Sequence, residues 1–319
     1  MNRWSSPTAR AALALLLVLL LGCVCNGQGA FFRASLHLDL LGSISVVGLC
    51  ALGQCVVILA GGIDLSVGAV LALTGMTFAG LTTVGDVGWP FAVALSLLLG
   101  AGLGLLNGWL VARQEIQPFL VTLAAMVIAR GLARLVPILA ERPPNSKFQP
   151  TDSLGPAFWQ WLAGRAFGTV PVAGLLFATI AIAMVVWLRR SVFGRHLYAI
   201  GGNREAARLS GVPVPRVTIL AYALCSGLAA LAGICQVARD VHGNPGAGEL
   251  LELQSIAAVV VGGTSLLGGR GGPGLAVLGV LTIEYVGKIL SISGVEQHWR
   301  LIITGAIILA AVLLQDRRR

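Results

Sequence analysis

Long apolar runs separated by short polar or glycine-rich breaks occupy almost the whole chain. Ten such segments are legible, at about 11–26, 43–60, 65–84, 90–112, 117–139, 168–188, 216–238, 253–268, 273–291 and 298–314. Most approach the ~20 residues that an α-helix needs to cross the hydrocarbon core of a bilayer. They are far longer than the ~10-residue alternating segments of an outer-membrane barrel. The eighth is too short to span comfortably and predicts half-spans. The pattern predicts an all-α polytopic membrane protein of about ten transmembrane helices. Residues 1–319 form a single membrane domain in which 1–30, with the first span, is the least constrained part.

Local signals sharpen several segments. Pro118 and Pro273 suit first-turn positions, where a missing N–H costs nothing. Gly100, Gly104 and Gly108 repeat every four residues in GAGLGLLNG. With no strand before them they predict a small-residue helix-packing face rather than a dinucleotide loop. Two glycine-rich breaks, in VVILAGGIDLSVGAVLAL (56–73) and AVVVGGTSLLGGRGGPGLAVLG (258–279), share one order: apolar run, Gly-Gly, polar, Leu, Gly, apolar run. That order suggests an internal repeat of two halves. Broken helices in corresponding halves point to a transport pathway, because irregular backbone at this depth must face protein or a water-filled cavity.

Composition agrees. Of 319 residues, 56% are hydrophobic and 11% charged, against about 25% charged in soluble domains. The formal net charge of +9 does not indicate nucleic acid, since the arginines sit in loops flanking the spans rather than along one soluble face. Starting with the N-terminus inside, ten crossings place Arg113, the 189–216 stretch, Arg270 and Arg317–Arg319 inside, as the positive-inside bias requires. The 140–166 loop falls outside, and both termini are expected in the cytoplasm. Arg3 and Arg10 before Ala11–Val24 resemble a signal peptide, and Leu20-Leu21-Gly22-Cys23 a lipoprotein cleavage site. A retained first span is preferred, because cleavage would turn the 189–216 arginines outward. The six cysteines (Cys23, Cys25, Cys50, Cys55, Cys225, Cys235) show no metal spacing and are expected to be small buried hydrophobes.

Few residues offer chemistry. Asp64 lies between apolar stretches, where a carboxylate at the bilayer centre costs at least ~2.5–3.5 kcal/mol. It is expected to accept from the Ser66 or Val67 amide and start the third span, with a solute contact or gate as the alternative. Gly61, Gly62 and Ser66 belong to the same break. Glu284 and Lys288, spaced i, i+4, are expected to neutralise each other; an unpaired acid there would suit proton coupling. Arg130 and Arg134 are expected to snorkel to the outer interface or to meet an outer partner or solute path. Asn107, Gln117 and Thr122 are neutral polar groups able to meet a hydroxylated solute or to bond neighbouring helices. There is no GxxxxGK[ST] loop, HExxH or GxSxG, and no catalytic constellation. Neither enzymatic activity nor a bound cofactor or metal is expected of this chain.

The most informative stretch is RRSVFGRHLYAIGGNREAARLSGVPVPR (189–216), with six arginines and one acid, Glu205. Asn203 is a good N-cap and Gly211, followed by Pro213, a good C-terminal residue. They bracket about two helical turns holding Arg204, Glu205, Ala206, Ala207 and Arg208. A helix this short is marginal alone, and Arg204 and Arg208 repel at i, i+4. Either the stretch is a loop whose arginines set topology, or the helix firms by docking into an acidic, apolar-walled groove.

Four stretches in order, GGIDLSVGAVLAL (61–73), IQPFLVTLAAMVIARG (116–131), GRHLYAIGGNREAARLSGV (194–212) and LQSIAAVVVGGTSLLGGRGG (253–272), resemble the hallmarks of ribose/xylose-type permeases of ATP-binding-cassette importers. The resemblance runs from about residue 31 to the end. It implies a bacterial inner-membrane permease subunit moving a monosaccharide by alternating access. Its partners would be a second permease copy or paralogue, a cytoplasmic ATPase that binds the ATP and Mg²⁺, and a periplasmic sugar-binding protein. It also implies that Gly202–Gly211 couples to the ATPase and that the 61–66 break and the outer half of the 116–131 stretch lie around the pathway. The 140–166 loop is idiosyncratic. A nucleoside or branched-chain amino acid cargo, or a proton-coupled secondary transporter, are the rival readings.

Overall fold

A computed structural model describes residues 7–25, 27–85, 87–143, 146, 148 and 161–316. The predicted positions of Arg3 and Arg317–Arg319, and most of the 144–160 part of the outer loop, lie outside the described residues. Helices occupy all ten predicted apolar segments: α1 (Pro7–Val24), α2 (Ala34–Leu59), α3 (Val67–Thr83), α4 (Trp89–Arg113), α5 (Pro118–Leu139), α6 (Val172–Arg190), α9 (Val214–Asp240), α10 (Leu251–Val261), α11 (Pro273–Ile292) and α12 (Gln297–Asp316). Two further short helices, α7 (Val192–Gly202) and α8 (Arg204–Leu209), join α6 to α9. Seven helices are long and apolar enough to cross a membrane, whereas α3 and α10 are short apolar helices. The half-length α10 is the predicted half-span. The chain is a multi-pass helical membrane protein.

The core forms around α2 and α9. Helix α2 is buried along most of its length from Leu40 to Leu59 and touches α6, α9, α10 and α11. Helix α9 packs on α2, α3 and α4. The glycine repeat of α4 faces α9: a Cβ at Gly108 would stand 2.7 Å from the Ile219 Cα, and one at Gly104 2.8 Å from the Ala223 Cα. Backbones approach this closely only through such small residues. The outward faces of α4 and α5 are apolar and exposed, including Leu98, Leu106, Val127 and Ile128. That is the finish expected of helices facing lipid or another membrane protein.

Boundaries differ from the sequence pattern in two places. Helix α2 starts nine residues before the expected position 43, because its polar first turns find partners: the His37 ring shares a hydrogen bond with the Tyr285 hydroxyl (3.0 Å), and Asp39 accepts from Arg165 (2.7 Å). The 192–202 stretch, expected as loop, is the helix α7, capped by the Ser191 hydroxyl accepting from the Gly194 amide at 3.0 Å, while Arg189 and Arg190 end α6. Its Leu197 and Ile200 are buried, so one apolar face against the bundle supplies the stability that its length does not. Helix α1 packs on α11, and the Phe31 ring covers Gly22. Of the cysteines, Cys50, Cys55, Cys225 and Cys235 are buried, but Cys23 and Cys25 are exposed, contrary to expectation.

Candidate functional site: a glycine junction between a basic helix and a buried polar knot

Three helix ends terminate in the same manner. After α2, Gly61 adopts φ 82°, its N–H donates to the Ile58 carbonyl (2.9 Å) and that of Gly62 to Val57 (3.0 Å). After α8, Gly211 has φ 82°, donates to Arg208 (3.0 Å), and Val212 donates to Ala207 (3.1 Å). After α10, Gly263 has φ 100°, donates to Val260 (2.8 Å), and Thr264 donates to Val259 (3.1 Å). Each is a left-handed glycine cap that satisfies two orphan carbonyls and turns the chain sharply. Two of the turns lie in the predicted breaks and the third ends the predicted basic helix.

The first break is a buried polar knot, in which the Asp64 Oδ2 atom and the Ser226 hydroxyl make no hydrogen bond among the described residues. Asp64, fully buried, accepts from the Ser66 amide (2.8 Å) and the Ser66 hydroxyl (2.6 Å) through one oxygen. It thus takes the expected amide bond, but from two residues before α3's capping position, which Ser66 itself holds. Asn107 on α4 donates to the Ser66 hydroxyl (3.2 Å), and Gln54 on α2 donates to the Asp64 carbonyl (3.0 Å). The Thr122 and Tyr222 hydroxyls reach the Ile63 carbonyl (3.5 and 3.4 Å). Cys225 and Ser226 lie beside the same carboxylate. Gly62 is required here, since a Cβ would stand 2.5 Å from the Tyr222 hydroxyl. Five helices meet at a stretch whose backbone would otherwise be unpaired in an apolar interior. Gln54, Tyr222 and Ser226 went unremarked in the sequence, being single polar residues within apolar runs, and Cys225 reads there only as a small buried hydrophobe. Gln117 is not part of the knot: it is exposed at the start of α5, where its carbonyl accepts from Leu120 (3.0 Å).

Helix α8 is built to stand out from the bundle. The Asn203 side chain accepts from the Ala206 amide (2.9 Å), a cap worth about 1 kcal/mol. Ala207 is buried, whereas Arg204, Glu205, Arg208 and Leu209 are exposed, Leu209 at 77%. Arg208 donates to both Glu205 oxygens (3.1 and 2.6 Å), which offsets part of its repulsion from Arg204. These bonds hold the Glu205 carboxyl below its ordinary range. A depressed acid contributes above its unfolded pKa and loses that contribution as pH falls through the lowered value, so the pair is closed at neutral pH. Standing in water, it remains a weak, salt-sensitive contact.

Between helix and knot lies a contact of bare backbones. Gly201 and Gly202, just before Asn203, rest on Gly268 and Gly269, which rest in turn on the end of α2. The Gly269 N–H donates to the Leu59 carbonyl (3.0 Å). A Cβ on Gly268 would stand 2.9 Å from both the Gly201 Cα and the Gly61 N, and one on Gly269 2.7 Å from the Gly202 N. Both Gly268 (φ 86°) and Gly269 (φ 68°) are left-handed. The Tyr198 hydroxyl donates to the Gly271 carbonyl (3.0 Å) and fixes the same loop to α7. The two breaks of the sequence therefore meet, and they meet at the foot of the basic helix.

The other predicted charges behave differently. Glu284 and Lys288 do not close an ion pair; among the described residues the pairs are Arg165–Asp39, Arg208–Glu205, Arg239–Asp240 and His298–Glu296. One turn apart on α11, both line a cavity instead of each other. Arg130 does not snorkel: its guanidinium donates to the Pro245 (3.0 Å) and Ala247 (2.6 Å) carbonyls, while Arg134 is exposed. No group of acidic, His and Cys side chains able to hold a metal ion occurs among the described residues.

A family model described as branched-chain amino acid transport system / permease component matches residues 36–312. The ribose import permease protein RbsC of Escherichia coli K12 is 37% identical over 95% of this chain and 92% of its own length. RbsC of Bacillus subtilis 168 is 39% identical over 96% and 92%. The xylose transport system permease protein XylH of E. coli K12 is 33% identical over 95% and 90%. No solved structure matches the chain significantly.

Proposed function

The chain belongs to the family of branched-chain amino acid transport system / permease components, and from that premise we propose that it is the membrane subunit of an ATP-binding-cassette importer for a monosaccharide. The observation that carries the cargo class is end-to-end similarity, at 33–39% identity, to permeases named for ribose and xylose. The family description alone would admit an amino acid.

In this reading the chain lies in the bacterial inner membrane with both termini and α8 in the cytoplasm. ATP and Mg²⁺ bind to a separate ATPase, whose groove receives Arg204, Arg208 and Leu209. A second permease copy or paralogue covers part of the apolar exterior, and a periplasmic binding protein delivers the sugar. When the ATPase halves close they displace α8. Gly201–Gly202 then push on Gly268–Gly269 and Gly61, and the helices joined at the Asp64 knot rock between outward and inward openings. The knot acts as the hinge that keeps α2, α3, α4, α5 and α9 together while their outer parts move. A proton-coupled secondary transporter could use Glu284, which closes no ion pair among the described residues and lines a cavity; the protruding basic helix α8 and the likeness to import permeases favour the ATP-driven reading.

Co-purification tests this assignment. The tagged chain, solubilised from the membrane, is expected to bring down one ATPase and, when sugar is present, one periplasmic protein whose bound ligand is a pentose or hexose. Recovery of a partner carrying a branched-chain amino acid or nucleoside would replace the cargo, and recovery of the chain without an ATPase would overturn the reading.

A further inference from the structure

Of the polar residues that the sequence placed on the pathway, Asp64, Ser66 and Thr122 are fully buried and Asn107 nearly so, each bonded within the knot, while Gln117 is exposed outside it. The polar groups that face open space lie elsewhere, around the segment Gly248–Gln254. A cavity of about 300 Å³ is lined by Ser43, Gln236, Arg239, Glu249, Gln254 and Glu284. A second, of about 480 Å³, shares Ser43, Gln254 and Glu284 and adds Lys288 and Arg300. A third, of about 620 Å³, holds Glu249 and Glu252 opposite Arg130 and Arg134, with Met126 and Leu250 as apolar walls. These sizes fall in the roughly 300–1,000 Å³ range of small-molecule sites.

The segment between them is held in an unusual shape. Gly248 (φ 69°) and Leu250 (φ 63°) are both left-handed, a conformation costly for leucine that persists only where surroundings enforce it. Arg130 enforces it by gripping the Pro245 and Ala247 carbonyls from α5. The segment then presses onto the first turn of α3, where a Cβ on Gly68 would meet the Gly248 carbonyl and the Glu252 carboxylate. Ser66 of the knot is two residues away. The shape is thus a broken-helix entrance reaching to the hinge, the construction on which membrane carriers place their cargo sites.

Two groups along these walls are only partly met, although Arg239 across the first cavity lies near enough to attract the Glu284 carboxylate. Glu284 has no ion pair, and the Arg300 Nε is buried without an acceptor among the described residues. A carboxylate and a guanidinium are kept in a membrane interior only where something meets them. Carboxylates accept, guanidinium and ammonium groups donate, and carboxamides and hydroxyls do both. Each hydroxyl of a sugar needs one donor and one acceptor. Leu250 and Met126 offer apolar surface to its C–H faces.

We propose that Gln254, Glu284 and Glu249, on the ridge between these three cavities, contact the solute during passage, and that the solute is an uncharged polyhydroxylated molecule of monosaccharide size. This rests on the monosaccharide reading above and moves the contact site from the Asp64 break to the segment above it.

The test uses the complete importer, with its ATPase and binding protein, in liposomes supplied with D-ribose or D-xylose. Glu284→Gln and Gln254→Leu are expected to lower ATP-driven uptake at saturating loaded binding protein at least tenfold. Assembly and basal ATP hydrolysis should change less than twofold, and Gly227→Ala, whose Cβ meets nothing, should transport normally. A second measurement covers poor folding. In a chain carrying Cys23→Ser and Cys25→Ser, Ser43→Cys and Gln254→Cys should react with a small hydrophilic thiol reagent and be shielded by sugar-loaded binding protein, whereas Asn107→Cys should not react. Normal uptake by both cavity variants, or labelling of Asn107→Cys in place of Gln254→Cys, overturns the assignment while leaving the importer reading intact. Absence of sugar uptake by the unaltered complex removes both.

Discussion

Reversing the charge of Arg204 and Arg208 together is expected to reduce ATP-driven uptake about a hundredfold or more. The protein should still insert, and α9 should still pack on α4. Both side chains stand clear of the bundle, so neither contributes to burial, and exposed substitutions change stability by no more than about 0.5 kcal/mol. Charged anchors at interfaces are worth roughly 2–4 kcal/mol each when truncated, and reversal adds repulsion. At 1.4 kcal/mol per tenfold, losing even one anchor gives about 30-fold. Because Arg208→Glu also breaks the Glu205 pair, Glu205→Gln is the proper control and should cost little. Uptake and co-purified ATPase are the readouts. Full uptake by the double variant would remove α8 as the docking element.

The second large effect is expected at the backbone junction. Gly201 is flanked by the Leu59 carbonyl and by Gly268 and Gly269, and Gly268 is left-handed as well as crowded. A methyl at either site must separate α7 from the end of α2. Overpacking costs typically 1–3 kcal/mol, and here the displaced atoms are main chain, which cannot rotate away. Gly201→Ala and Gly268→Ala should therefore assemble with the ATPase yet transport at least tenfold less sugar per ATP hydrolysed. Gly102→Ala, whose added carbon meets nothing within 4 Å, should behave as the parent. A ratio unchanged in all three would mean that motion reaches the membrane by another route. A loss of assembled complex at unchanged ratio would make the junction a packing feature only.

Much of this architecture is written locally. Gly61, Gly211 and Gly263 stop helices through their own φ angles, Asn203 starts one through its own side chain, and Pro118 and Pro273 fall within the first turns of α5 and α11. Each signal acts within about six residues, so it is visible without a fold. The apolar run lengths marked the helices for the same reason. What remained hidden depends on residues far apart in sequence. Tyr222 reaches Ile63 across 159 positions and Cys225 reaches Gln54 across 171; nothing adjacent to either distinguishes it from core. Arg130 looked like an interface cation because its carbonyl partners lie 115 and 117 residues on. The i, i+4 rule placed Glu284 and Lys288 one turn apart on α11, but the two close no ion pair and both line a cavity. Helix α7 escaped notice because its stability comes from the bundle beneath it rather than from its own eleven residues.

The central claim is that this chain moves sugar only when a partner ATPase drives it. The most direct measurement is uptake of radiolabelled ribose or xylose into liposomes holding the chain with its co-purified ATPase and sugar-loaded binding protein. ATP is supplied on the ATPase side, with and without a protonophore. The account predicts uptake that needs ATP, needs the binding protein, vanishes in the Arg204→Glu/Arg208→Glu variant and is indifferent to the protonophore. Uptake by the chain alone, abolished by the protonophore and by Glu284→Gln, would contradict it.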